Sequence, residues 1–355
     1  MINVLNSDYV SLYIVLSIFS LLFSYFKKEN LFIIISIICL ILLTANRPLN
    51  IGADTKEYER IFLYPNFYIS EVEQGYLFLV HLSKSFGFDY RAFLLLNSSI
   101  IFIGFGSFIL TNKQNKIASF FILFSMFFLP SMNLMRQWLS MAIGIFAFNN
   151  KRLISLDLFI VFLAVSFHIT GLIFLLIILP KYFSKSFFSL IILSFSIFLL
   201  MLLDNNFIEL IKVYLPNSFY RYFTDPYFFG NGLLSFKTIF FLFLFLILSF
   251  LSRIYSLRFN HLFSGNNYKV IFLSTAFLSF VFSYIGQNFY MIHRFGYTIN
   301  LYYMLSIPAI LSILFKNKFV VEISTIIIMF VILLVNLISD NNRVFDYNFL
   351  LQIFN

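Results

Sequence analysis

Charge is scarce in this chain: Asp, Glu, Lys and Arg make up 11% of its 355 residues, against about 25% in a soluble domain. Apolar residues account for 61%, and the mean hydropathy is +0.93. That balance excludes an ordinary soluble fold and requires an outer surface that faces lipid. The apolar blocks lack the alternating pattern of a membrane β-barrel, and many approach the roughly 20 residues that a helix needs to cross hydrocarbon. The expected fold class is therefore all-α, a polytopic membrane protein. Cys39 is the lone cysteine, which excludes an internal disulfide. The chain has no DxD, no HExxH and no Cys/His pair at ligand spacing, so neither a metal site nor another cofactor is expected. The lack of a glycine-rich phosphate loop argues against ATP or a nucleotide sugar as donor.

What is present is a series of apolar blocks separated by short basic loops. The first block, 8 to 26, has no basic residue before it and only Tyr25-Phe26-Lys27-Lys28 after it, so it reads as a retained span and not a signal peptide. Further spans are expected at 31 to 45, 91 to 110, 117 to 131, 133 to 148, 153 to 167, 168 to 180, 187 to 203, 235 to 252, 268 to 286, 293 to 315 and 319 to 339, about twelve transmembrane helices in all. With Lys27-Lys28 in the cytoplasm, Lys113/Lys116, Lys151/Arg152, Lys181/Lys185, Arg253/Arg258/Lys269 and Lys316/Lys318 fall there too, accompanied only by Glu29, Asp157 and Glu322. This is the positive-inside bias, and it accounts for the net charge of +9 without nucleic acid, for which no stacking platform is present. Both termini then lie outside.

The chain is expected to be a single integral membrane domain over 1–355, with outer loops at 46–90 and 204–234. Within the first loop, 73 to 89 reads as an interfacial helix, because it is short and places Gln74, His81, Lys84 and Ser85 on one side. The unusual polar groups then collect on the outer face. "RPLNIGADTKEYERIF" (47–62) is an outer loop, Arg136-Gln137 start a span, His168 sits at an outer turn, Tyr220-Arg221-Tyr222 lie in the long loop, and Gln287 with His293-Arg294 open the eleventh span. Arg136 and Arg294 are expected in the first turns of their helices, where unpaired N–H groups and the positive dipole end attract anions. Arginine adds a fork that binds phosphate oxygens bidentately. Tyr297, Thr298 and Tyr302 continue the face of Arg294, a mouth suited to a diphosphate head on a lipid tail.

Plainer readings exist for each residue. Asp54, Glu57 and Glu59 also read as a solvated charge run, Arg136 and Arg294 as snorkelling anchors, and His168 as a packing histidine. His81 and His261 read as structural.

Arg47, Gly52-Ala53-Asp54-Thr55, Tyr58 and Phe62 resemble the R...vGxDtxxYxxxF signature of the EpsG-like branch of Wzy polysaccharide polymerases. Arg136-Gln137-Trp138-Leu139 resembles its RQxLA element, with Ser140 in place of alanine. "AVSFHITGL" (164–172) resembles AxxxHxSAL, with Thr170-Gly171 in place of serine-alanine. "YRYF" and "HRFGY" resemble the later arginine and tyrosine elements. The order of these elements, from Arg47 to Pro308, carries the resemblance.

The resemblance implies a fold similar to the GT-C glycosyltransferases. It also implies polymerisation of undecaprenyl-diphosphate-linked repeat units into O-antigen, capsule or exopolysaccharide, on the outer face of the bacterial plasma membrane. Donor and acceptor would both be lipid-linked glycans, and a chain-length regulator is a candidate protein partner. Asp54 is the first choice for general base and His168 the second. Arg136, Arg221 and Arg294 would hold diphosphate, with Arg47, Tyr58, Gln137, Tyr220, Gln287, His293 and Tyr297 around the substrate. Two alternatives remain at this point: a flippase or other transporter of the same lipid, and a sugar transferase of the O-antigen-ligase type.

Overall fold

A computed structural model describes residues 8–111, 115–148, 153–182, 266–286 and 290–339, with a few helical positions between 239 and 250. The expected spans at 187 to 203 and across most of 235 to 252, the loop 204–234 with Tyr220 and Arg221, Gln287 and His261 lie outside the described residues. The described residues form helices and no strands: α1 Asp8–Tyr25, α2 Glu29–Ala45, α3 Thr55–Leu63, α4 Gln74–Ser85, α5 Tyr90–Thr111, α6 Lys116–Ser131, α7 Met135–Gly144, α8 Ile154–Phe167, α9 Ile173–Tyr182, α10 Asn266–Ile285, α11 Tyr290–Asn300, α12 Tyr303–Leu314 and α13 Lys318–Ser339. The all-α expectation holds for them.

Three of these helices, α1, α5 and α13, are long and apolar enough to cross a membrane, and α11 with α12 would make a fourth if taken as one span. Several of the other expected spans are shorter or interrupted among the described residues. The stretch 133 to 148 is a ten-residue helix followed by a tight 3-10 turn, and 168 to 180 opens with a 3-10 turn before α9. The exposed side chains of α1 and α2 are large and apolar, among them Ile14, Ile18, Phe19, Leu22, Ile34, Ile35 and Ile38. Water would penalise such faces and lipid does not. The chain is a membrane protein.

The chain divides into two compact units. The first comprises Met1–Phe146, Phe162–Ile169 and Tyr303–Asn355, and the second Ala147–Val161 and Thr170–Tyr302. In the first unit α2 and α7 both pack on α5 through small residues. A Cβ on Gly106 would come 2.9 Å from Ile37, and one on Gly104 would come 3.0 Å from the Ala142 carbonyl. Phenylalanines fill the interior: Tyr13 of α1 contacts the rings of Phe121, Phe124 and Phe330, and its hydroxyl donates to the Ile326 carbonyl at 2.6 Å. Within α6 the segment Leu123–Phe128 widens into a π-helical turn, and Asn336 of α13 donates to the Ser125 carbonyl at 2.8 Å.

One end of this unit is tied by polar side chains. Lys318 at the start of α13 pairs with Glu29 at the start of α2, and Lys116 at the start of α6 donates to Asn30 at 2.7 Å. Three of the basic turns that the sequence assigns to one membrane face, those at Lys27-Lys28, Lys116 and Lys318, therefore gather at one place. α2 has 17 residues and so rises about 25 Å, which carries the chain from this cluster to Arg47 at its far end.

In the second unit, α9, α10 and α11 pack together, with Phe282 stacked near Phe295 at 6.3 Å and Gly296 against the Phe282 Cβ. Tyr182 donates to Asp157 at 2.9 Å.

Candidate functional site

The stretch Arg47–Phe62 folds back on itself because Gly52 has φ +86°, a conformation open to glycine and strained for other residues. A Cβ at this position would lie 2.8 Å from both the Met132 carbonyl oxygen and the Thr55 Oγ1. The turn is thus pressed against Pro130–Leu134, and the Asp54 amide donates to the Asn133 Oδ1 at 2.7 Å. α3 starts here and sorts the charges: Thr55, Tyr58, Ile61 and Phe62 are buried, whereas Lys56, Glu57 and Arg60 are exposed. Glu57 and Arg60 pair weakly at 3.4 Å on the solvated side. Asp54 is the N-cap residue but makes no side-chain capping bond.

Arg47 is 3% exposed. Its Nη1 donates to the Thr44 carbonyl at 2.6 Å, its Nη2 to the Met135 Sδ at 3.2 Å, and its Nε to the Thr55 Oγ1 at 3.5 Å. A cation suits this place, since the last carbonyls of α2 carry the negative end of the helix dipole. Arg47 therefore ties the end of α2 to the starts of α3 and α7, beside the site and not open to it.

Arg136 is the second residue of α7, as its expected first-turn position requires. Its Nη1 donates to the Glu73 Oε2 at 2.5 Å, with 22% of the Arg136 side chain and 23% of the Glu73 side chain exposed. Tyr58 and Tyr76 are its other electrostatic neighbours, and their rings lie 6.0 Å apart. Tyr76 in turn packs on Phe93 of α5 at 5.9 Å. Burial pushes the Tyr76 phenol well above its ordinary range, Tyr58 and Tyr90 add to the rise, and Arg136 and Arg47 oppose it. Tyr76 therefore stays neutral, a polar wall with no charge of its own.

His168 reaches the same region through α4. Gly75 sits so close to the end of α8 that a Cβ would meet the Ser166 Oγ at 2.5 Å and the Ser166 carbonyl oxygen at 2.6 Å. Two residues on, His168 is buried at 8% exposure, and Ser140 of α7 donates to its carbonyl at 3.4 Å. The elements carrying Asp54, Arg136 and His168 are far apart in the chain, yet each packs against another in the first unit.

Not every expected site residue joins them. Gln137 is buried on α7. Arg294 and Tyr297 lie on α11 in the second unit, half-buried, and His293 lies on the same helix. Arg294 is the fifth residue of Tyr290–Asn300 and not in its first turn as expected, because the helix begins four residues earlier. Helical order also stops at Asn300, so Tyr302 follows the helix instead of continuing its face. Sequence reasoning missed Glu73, Tyr76 and Asn133. A partial signal existed: the glycine of "EQGY" inside a helical pattern marks close packing of that backbone, without singling out the Glu73 or Tyr76 side chain.

No curated protein and no solved structure matches this chain. Residues 30–349 match the EpsG family, a span that takes in every motif described above. The order of those motifs agrees with that match, and the chain belongs to the EpsG family.

Proposed function

We propose that this protein polymerises repeat units carried on undecaprenyl diphosphate, on the outer face of the bacterial plasma membrane, within a twelve-span, GT-C-like fold. Family membership supports polysaccharide polymerisation in general. The observation that supports the finer reading is that the segments carrying Asp54, Arg136 and His168 pack on one another in the first unit, the Asp54 amide on Asn133 just before α7 and Ser140 of α7 on the His168 carbonyl.

In the proposed step a hydroxyl oxygen of the incoming unit attacks the anomeric carbon of the growing chain. The anomeric C–O bond to diphosphate breaks, and the leaving undecaprenyl diphosphate keeps the electron pair. The hydroxyl proton passes to Asp54, with His168 as the second candidate. Arg136 stabilises the charge on the leaving group, a role in which charge-assisted hydrogen bonds are worth about 2 to 4 kcal/mol. Arg221 and Arg294 are assigned the same role by their sequence motifs alone. Arg47 supports the site by holding α3 and α7 together, and no metal ion takes part.

The test is elongation of purified lipid-linked repeat units by the protein in nanodiscs, read as a glycan ladder. Arg136→Ala is expected to lower turnover roughly 30-fold to 1000-fold. Asp54→Asn should abolish the ladder while donor binding persists. A wild-type protein that transfers preformed polymer to another acceptor, with no ladder, would replace polymerase by ligase.

A further inference from the structure

Glu73 has no part in the reaction just described, yet it holds the residue on which that reaction depends. Its carboxylate bonds the Arg136 Nη1 at 2.5 Å and Tyr58 is a second hydrogen-bonding neighbour of the guanidinium, while the Arg136 Nε is buried with no hydrogen-bond partner. A guanidinium beside a single carboxylate has donors left over for a larger anion. Glu73 also costs little to move. It is the N-cap of α4, but its side chain makes no capping bond, so the helix start does not depend on where the carboxylate lies. The backbone behind it is fixed, since Gly75 is pressed on Ser166. Release is thus a side-chain rotation, and both partners already reach the surface with about a quarter of their area exposed.

We propose that Glu73 is the resident anion of the diphosphate site: it occupies Arg136 when the site is empty, is displaced by the lipid diphosphate, and reclaims Arg136 as the product leaves. This inference rests on the polymerase reading and deepens it. A polymerase must release polyprenyl diphosphate at every cycle, and an arginine site with no competing carboxylate would hold that product. Glu73 lowers affinity for the diphosphate and speeds its departure. No bond to carbon or phosphorus changes in this exchange; one hydrogen-bonded anion replaces another.

The experiment measures binding of polyprenyl diphosphate to the full chain in nanodiscs, together with product inhibition of elongation by the same compound. Glu73→Gln keeps the shape and removes the charge, and should tighten binding and deepen product inhibition by roughly 1.5-fold to fivefold, the range expected when one partly exposed competing ion pair is removed. KM and kcat for the lipid-linked donor should fall together, because release becomes slower. Glu73→Asp keeps the charge at shorter reach and should fall between the two. Arg136→Ala should lose binding in either background. If wild-type protein binds but Glu73→Gln binds equally or more weakly, Glu73 only positions Arg136 and the inference fails while the polymerase reading stands. Failure of both Glu73 variants to fold has the same meaning. If wild-type and Glu73→Gln proteins both ignore polyprenyl diphosphate, the polymerase reading itself falls.

Discussion

Gly75→Ala is the substitution on which helix propensity and packing disagree most sharply. Replacing a helical glycine by alanine normally stabilises by up to about 1 kcal/mol. At Gly75, however, the new Cβ would meet Ser166 at 2.5 Å from Oγ, 2.6 Å from the carbonyl oxygen and 2.8 Å from the carbonyl carbon. Two of those three atoms are backbone, so no rotamer change relieves them, and overpacking of this kind costs about 1 to 3 kcal/mol. Packing should win by about 1 to 2 kcal/mol, since the propensity gain is reduced in the first turn of a helix. The assay is a denaturation midpoint of the protein purified in detergent, with elongation measured alongside. A displacement of α4 against the segment leading to His168 should also lower turnover, since a shift of about 1 Å can cost roughly 100-fold. Removing the Ser166 hydroxymethyl group in a Gly75→Ala/Ser166→Gly double variant eliminates the Oγ contact and leaves the carbonyl contact. It should recover only part of the loss. An unchanged or raised midpoint for Gly75→Ala, or full recovery in the double variant, would refute the reasoning.

Gly52→Ala should destabilise more than Gly87→Ala: both glycines have positive φ, but a Cβ on Gly87 meets nothing within 4 Å whereas one on Gly52 meets the Met132 carbonyl. Equal denaturation midpoints would count against the packing part of that account. Lys28→Cys and Lys56→Cys should label from opposite sides of the membrane, the first from the cytoplasm and the second from outside; labelling of both from one side would overturn the topology. Polymerisation of purified substrate should survive EDTA, and a loss reversed by magnesium or manganese would replace arginine by metal as the stabiliser of the leaving group.

Much of this architecture was legible because lipid imposes a simple rule: helices with apolar surfaces, charges at the ends. Asp8 to Tyr25 and Lys318 to Ser339 follow that rule closely. Legibility failed where helices are short or broken. Hydropathy cannot locate the break between α11 and α12 within 293 to 315, because the two together are apolar enough to pass as one span. The first half of the candidate site was readable from Gly52, Asp54 and Arg136, whose types have limited uses in lipid. The Glu73–Arg136 pair was not readable, because the partners are 63 positions apart. No local pattern in sequence selects this carboxylate over Glu57, Glu59 or Glu71. Arg47 illustrates the opposite difficulty: its residue type suits an anion, but only three-dimensional neighbours reveal a guanidinium used on Thr44, Thr55 and Met135.

The wide turn at Leu123–Phe128 sets the angular phase of everything that follows it in the first unit. An α-helix advances about 100° per residue, and a π turn accommodates one residue more than an α turn. The two parts of α6 therefore present faces that a continuous α-helix could not present together: the lower part places Ser119 on the Met304 carbonyl, and the upper part delivers Met132 and Asn133 to Gly52 and Asp54. Deleting a single residue from this turn would let it relax to α geometry and rotate the Pro130–Leu134 turn by about 100°. Arg136, carried along on α7, would turn away from Glu73 without any change in its own helix. Chain length in the middle of a phenylalanine-rich membrane segment, where composition is most permissive, is thus as tightly specified as any residue at the site.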